Sequence, residues 1–221
     1  MTFYQIQGQK KDKIAVGKLI CLARTYVKHA QEMNTTPPLE PVLFLKPESA
    51  VIFSGDSILL PKQSQNVHHE VELGVIIGKQ GKNVSTEEAM DYVFGYCIAL
   101  DITARDIQSQ AKQKGWPWSI AKGFDTFAPI SKVIPKQFIK DPHNLIFSLM
   151  INGEQRQQAT TKDLLFSIPE IIAYISSIMT LKQGDLIMTG TPEGVGELHE
   201  GDTIEAHLED YVTLKIEVKK P

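Results

Sequence analysis

The chain has 221 residues, 42% of them hydrophobic, enough to bury one substantial core; a single domain over 1–221 is expected, with 1–16 as an N-terminal lead-in. A formal net charge of −3 argues against a nucleic-acid partner. No stretch approaches membrane-spanning length, and residues 1–12 lack an apolar run followed by a small-residue cleavage site, so a cytoplasmic protein with no membrane partner is expected.

In chain order, 17–23 reads as a strand and 24–33 as a short helix, stopped by Asn34-Thr35-Thr36-Pro37-Pro38 because proline cannot continue it. His29 and Glu32 are three apart, so they share a helical face, and a carboxylate that orients a histidine makes a general acid or base; the same spacing also occurs in plain surface ion pairs. The proline loop beside them suits a segment that closes over a site. Further strands read at 41–46, closed by Pro47, and at 57–60.

The run His68-His69-Glu70-Val71-Glu72-Leu73-Gly74-Val75-Ile76-Ile77 alternates as a strand, which puts Glu70 and Glu72 on one face. Two like charges so placed repel unless water bathes both or a cation sits between them. Glu-x-Glu is commonly a solvated sheet face. Gly74 and Ile76 continue this face as non-polar positions, however, which encloses it. His68 and His69 read as exposed strand-start residues or, for one of them, as a hydrogen-bond partner of a ligating carboxylate.

Helices are predicted at 86–92 and 102–114, and Asp101 stands where the apolar strand ending at Leu100 hands over to the second of them. Asp101, Arg105 and Gln108 then lie on one helical stripe. Three carboxylates without a cysteine cluster form a hard oxygen set that suits Mg²⁺, Mn²⁺ or Ca²⁺ and leaves about three of six positions open. Arginine occurs only at Arg24, Arg105 and Arg156, and two of these fall in the segments just described, which fits anion recognition by a planar fork. Lys122 stands among small and aromatic residues, where a snorkelling surface lysine is the plain alternative.

A helix over 168–179 carries Pro169 in its first turn, and short strands follow at 185–188, 203–208 and 212–218. The run Thr189-Gly190-Thr191-Pro192-Glu193-Gly194-Val195-Gly196 lacks the Gly-Lys-Ser/Thr ending of a phosphate loop. It reads either as a sharp connection or as a turn whose N–H groups and Thr191 hydroxyl hold a carboxylate. Cys21 and Cys97 lie in apolar runs and read as buried, reduced thiols.

Six blocks together resemble the fumarylacetoacetate hydrolase family: Arg24-Thr25-Tyr26 with His29 and Glu32, Pro41 through Pro47, His69-Glu70-Val71-Glu72-Leu73, Leu100 through Asp106, Ala121-Lys122-Gly123-Phe124-Asp125, and Thr189 through Gly196. They run in the family's order over nearly the whole chain from about Gly17. The compact length is most similar to the branch of acylpyruvate hydrolases and oxaloacetate-acting decarboxylases and keto–enol tautomerases. The resemblance implies an α+β fold: a β-rich roll of several packed, mostly antiparallel sheets with a few short helices, usually a homodimer. It implies Glu70, Glu72 and Asp101 as ligands of Mg²⁺ or Mn²⁺, and His29 with Glu32 as a catalytic dyad on a helix that orders over substrate. Lys122 is implied beside the metal, Arg24, Arg105 and Gln108 on the substrate side, and Thr191 against the ligand carboxylate. Thr25 departs from the family, where many members have Asn.

The activity so implied is on a small 2-oxo acid through a metal-stabilised enolate, with oxaloacetate keto–enol tautomerisation preferred and decarboxylation or acylpyruvate hydrolysis as alternatives. A non-catalytic, metal-stabilised binding protein is the alternative of another class.

Overall fold

The computed structural model describes residues 2–8, 13–32 and 36–221. Its largest sheet runs in the order Val42–Lys46, Leu19–Ala23, Leu186–Met188, Val71–Ile77, Val93–Leu100, Ala128–Ile130, Val51–Phe53, with Ile134–Pro135 also paired to Val93–Leu100. A five-stranded sheet (Glu154–Thr160, Ile146–Ile151, Thr203–Leu208, Val212–Lys219, Ser57–Leu59) lies across it, and Val67–His69 joins Gly196–Glu197 and Thr103–Ala104 in a small third sheet. Among these strands pairing is antiparallel except at Leu19–Ala23 with Leu186–Met188, Val212–Lys219 with Ser57–Leu59, and Val51–Phe53 with Ala128–Ile130. The helices are α1 (Val27–Glu32), α2 (Arg105–Lys114), α3 (Ser119–Lys122) and α4 (Ile168–Ile178). This is the β-rich, mixed-sheet α+β architecture anticipated from the sequence. Among the described residues no helix is long and apolar enough to cross a membrane.

The core follows from the strand alternation. Val71, Leu73, Val75 and Ile77 project into one apolar cluster with Phe147, Leu149, Ala206 and Leu214 of the five-stranded sheet and Ile168, Ile171, Ile172 and Ile175 of α4. Those four isoleucines recur at the spacing that puts them on one side of a helix, and α4 starts on a Ser167–Glu170 capping box. On the opposite face, Ile76, Cys97, Leu186 and Met188 form a second cluster with Tyr4, Ile6, Ile14 and Val16. The described part of the N-terminal lead-in therefore closes the back of the main sheet, and the Tyr4 hydroxyl donates to the Gly184 carbonyl at 2.9 Å. Cys21 and Cys97 are both buried and free.

Several boundaries differ from the sequence expectation. The first helix begins at Val27, not Arg24, because Arg24 takes a left-handed backbone with φ of 60°. Met33, Asn34 and Thr35, the expected helix end and loop start, lie outside the described residues. The predicted helix at 86–92 is only a 3₁₀ turn, Ala89–Tyr92, since so short a segment feeding directly into Val93–Leu100 cannot repay helix nucleation. The predicted helix at 102–114 starts at Arg105, after the short strand Thr103–Ala104. The hairpin Ile146–Ile151/Glu154–Thr160, not among the strands expected above, turns at Asn152-Gly153, whose φ of 52° and 81° suit a tight hairpin turn.

Candidate metal and substrate site

The run expected as one strand from His68 to Ile77 is broken at Glu70. Val67–His69 belongs to the small sheet and Val71–Ile77 to the large one, so Glu70 sits where the chain passes between sheets. Its carbonyl accepts the Asp101 N–H at 2.8 Å, which ties this junction to the end of Val93–Leu100. The consequence is convergence. One oxygen each of Glu70, Glu72 and Asp101 lie within 4.8 Å of one another, and all three residues are buried.

Two of the three carboxylates are held by the chain's own cations. Lys122, on α3 and only 2% exposed, donates to Glu70 Oε2 at 2.9 Å and to Asp101 Oδ2. Lys46 donates to Asp101 Oδ1 at 2.7 Å and to the Ile102 carbonyl at 3.0 Å. Arg105, in the first turn of α2, donates to Glu70 Oε1 and, at 2.9 Å, to Gln108 Oε1. Burial raises the Glu70 pKa, but Lys122 and Arg105 overcome it and hold the carboxyl below its ordinary range.

Glu72 is different. Among the described residues no cationic group forms an ion pair with it; it accepts the Gly190 N–H at 2.7 Å. Burial, then the neighbouring Asp101 and Glu70, push its pKa well above the carboxylate norm. A buried all-oxygen set with one uncompensated carboxylate fits a hard divalent cation such as Mg²⁺ or Mn²⁺, which Glu70, Glu72 and Asp101 would hold.

A cavity opens over this cluster, lined by Arg24, His29, Phe44, Glu70, Glu72, Arg105, Gln108, Lys112, Trp118, Lys122 and Thr191 among others. Every predicted substrate-side residue, together with His29 and Lys122, therefore meets in one place. Four cations (Arg24, Arg105, Lys112, Lys122) face it against two carboxylates, so its walls attract anions even before any metal binds. Free space within it is about 40 Å³, room for a few water molecules. Helix α1 closes one side: His29 Nδ1 lies 3.1 Å from Glu32 Oε2, and Glu32 Oε1 accepts the Gly194 N–H at 3.0 Å. The glycine-rich turn thus binds carboxylates through its N–H groups, but they are the protein's own, Glu72 and Glu32. Thr25 supplies a hydroxyl to the same turn, donating to the Thr189 carbonyl at 2.7 Å.

Sequence reasoning gave no role to Lys46, Lys112, Phe44, Trp118 or Gln157. Lys46 had a signal, a lysine closing an apolar strand just as Lys122 stands among apolar neighbours, and its side chain is fully enclosed. The Lys122 ammonium also lies 4.7 Å from the Phe44 ring centroid. His69 is buried and bonds to Gln157 rather than to a carboxylate, whereas the buried His68 Nδ1 has no hydrogen-bond partner among the described residues.

A family model described as Fumarylacetoacetate (FAA) hydrolase C-terminal matches residues 18–219. The chain belongs to the fumarylacetoacetate hydrolase family. Within and around it, an uncharacterised protein of Pyrococcus abyssi is 55% identical over 201 residues, covering 91% of this chain and 89% of its own. The oxaloacetate tautomerase FAHD1, mitochondrial, of Bos taurus is 48% identical over 203 residues, 92% of each chain. The crystal structure of fumarylpyruvate hydrolase from Pseudomonas aeruginosa in complex with Mn²⁺ and pyruvate superposes with a TM-score of 0.95 at 35% identity, covering 100% of this chain and 96% of that one. This fumarylacetoacetate hydrolase family member thus combines its relatives' fold with a buried acidic cluster in a cation-lined cavity.

Proposed function

We propose that this protein is a divalent-metal-dependent enzyme acting on a small 2-oxo acid, with oxaloacetate keto–enol tautomerisation as its reaction. The observation that carries the reading is the convergence of the Glu70–Glu72–Asp101 cluster with His29, Lys122 and the anion-attracting wall of one cavity. The excess of cations on the cavity wall, Arg24, Arg105, Lys112 and Lys122, supports an anionic substrate. The 48% identity to a protein named oxaloacetate tautomerase supports the same choice.

Glu70, Glu72 and Asp101 would hold a dication such as Mg²⁺ or Mn²⁺, which would supply Lewis acidity toward an enolising 2-oxo acid. The chain's own groups do the rest. Because the Glu32 carboxylate can only accept, His29 Nδ1 carries the hydrogen between them, and in the neutral imidazole Nε2 is left to take a proton from C3 and return it to the enol oxygen. Lys122 places an ammonium, with protons to give, at the reacting end. Arg24, Arg105, Gln108 and Thr191 hold the carboxylate groups. The same proposal takes the chain as a single catalytic domain acting as a homodimer, on the strength of the resemblance, and as cytoplasmic on the sequence pattern alone, the related oxaloacetate tautomerase of Bos taurus being named mitochondrial.

Acylpyruvate hydrolysis is the second reading, favoured by the likeness to a fumarylpyruvate hydrolase. In that case the His29–Glu32 pair activates water. A panel assay of the Mg²⁺-supplemented protein against enol-oxaloacetate, keto-oxaloacetate and acetylpyruvate, scored by kcat/KM, separates the two. Tautomerisation should lead; a clear lead for acetylpyruvate cleavage reverses the order, and no turnover of any member leaves a metal-stabilised binding protein.

A further inference from the structure

Gln157 stands on the edge strand Glu154–Thr160 of the five-stranded sheet, yet it is only 1% exposed and reaches into the back of the site. Its Oε1 accepts the Val71 N–H at 3.1 Å and lies 2.9 Å from His69 Nδ1; its Nε2 donates to Thr191 Oγ1 at 2.9 Å and to the Pro192 carbonyl at 3.0 Å. Two acceptor and two donor capacities are all used. Two of the four partners have fixed roles, because a backbone N–H only donates and a carbonyl only accepts. These pin the amide: the oxygen must face Val71 and the nitrogen must face Pro192, so the flipped amide is excluded on chemical grounds.

The fixed amide decides something about Thr191. Its Oγ1 receives a hydrogen from Gln157, so the hydroxyl proton must point elsewhere, and among the described residues no group accepts it. Thr191 lines the cavity beside Glu72, Arg105 and Lys122. We propose that Gln157 is a positioning residue that fixes the polarity of the Thr191 hydroxyl, making it an obligate hydrogen-bond donor into the cavity and so selecting the carboxylate group of the substrate. The inference rests on the reading in which Thr191 meets that carboxylate. It also explains why an uncharged glutamine is buried at a sheet edge: a carboxylate at position 157 would accept the Thr191 hydroxyl, turn its proton away from the cavity and face the Pro192 carbonyl with like polarity.

The test uses pyruvate as the probe, its affinity for Mn²⁺-saturated protein read from water-proton relaxation, with unfolding temperature recorded alongside. Thr191→Val should weaken pyruvate about 10- to 100-fold, the range of a lost hydrogen bond to a charged group, and Thr191→Ser should retain it. Gln157→Glu should weaken pyruvate to a similar degree in the wild-type background and add almost nothing in Thr191→Val. Should Gln157→Glu fail to fold, Gln157→Leu carries the same comparison with a smaller loss. If Thr191→Val binds pyruvate normally, the reading of Thr191 fails and takes the proposal with it. If Thr191→Val loses affinity while the Gln157 variants keep it, or lose it equally in both backgrounds, the reading stands and the role of Gln157 is overturned.

Discussion

Gly190 donates its backbone N–H to Glu72 at 2.7 Å, and it does so from a position where any side chain would run into Thr25 and strain the backbone. A Cβ there would lie 1.8 Å from Thr25 Oγ1, and the backbone φ is +99°. The turn is therefore pressed against Thr25 so that a peptide N–H can reach a buried carboxylate. Gly190→Ala should destabilise the protein by more than the roughly 1–2 kcal/mol of a left-handed backbone alone. Adding Thr25→Ala should recover only the steric part. Urea unfolding of both variants reads this directly, and a wild-type midpoint for Gly190→Ala would show that the turn relaxes freely.

Glu72→Gln should weaken Mn²⁺ binding by at least about tenfold and lower turnover with it, since the amide removes the charge that the ion neutralises. Mn²⁺ titration and activity are to be compared on the same preparation. Lost activity with an unchanged titration would make Glu72 a proton-transfer group instead of a ligand.

His29→Ala should lower kcat about 10²- to 10⁴-fold, the span of general acid–base catalysis, while Mn²⁺ affinity and the melting temperature stay near wild type. His29 bonds to Glu32 and to no carboxylate of the acidic cluster, which is why the two readouts should part. Undiminished turnover would remove it from the reaction.

Lys46→Met leaves one Asp101 oxygen without its ammonium in a fully buried setting. Breaking such a pair costs about 3–5 kcal/mol. Saturating Mn²⁺ should narrow the resulting gap in melting temperature, because a dication beside Asp101 replaces part of the missing charge. An equal gap with and without Mn²⁺ would place Asp101 away from the ion.

Asp106 offers the pH dependence. Burial works against its charged form, but the Ser64 hydroxyl and the N–H groups of Gln65 and Ile107 outweigh it, holding the carboxyl below its ordinary value. A depressed folded pKa contributes stability that is fully present above the unfolded value of about 3.9 and is lost as pH falls through the folded one. Asp106→Asn should therefore destabilise the protein at pH 7, by no more than about 0.5 kcal/mol because solvent screens this partly exposed carboxyl, with the gap to wild type closing below pH ~4. Denaturant unfolding at pH 7, 5 and 3 decides it; a gap still open at pH 3 would trace the loss to packing.

Local pattern made part of the site legible. The alternation at Val71, Leu73, Val75 and Ile77 placed Glu72 on an enclosed face, and the three-residue spacing of His29 and Glu32 put them in contact, both confirmed by geometry. The same reasoning failed at Glu70, since a period-two pattern carries no mark for a chain that changes sheets while keeping its alternation. It also placed Asp101 on the stripe of a helix that begins only at Arg105.

What the sequence by itself determined is the donor inventory and its local spacing: two carboxylates one residue apart in an alternating run, a third at the end of an apolar strand, a histidine and a glutamate one helical turn apart, and a glycine-rich turn. Tertiary structure alone decided which cations hold those acids and which one it leaves bare. Lys46, Lys122 and Arg105 arrive from three separate elements, and Gln157 from a different sheet. Charge compensation and hydroxyl polarity depend on distances of a few ångströms between residues far apart in the chain, and no periodicity along one strand or helix encodes them.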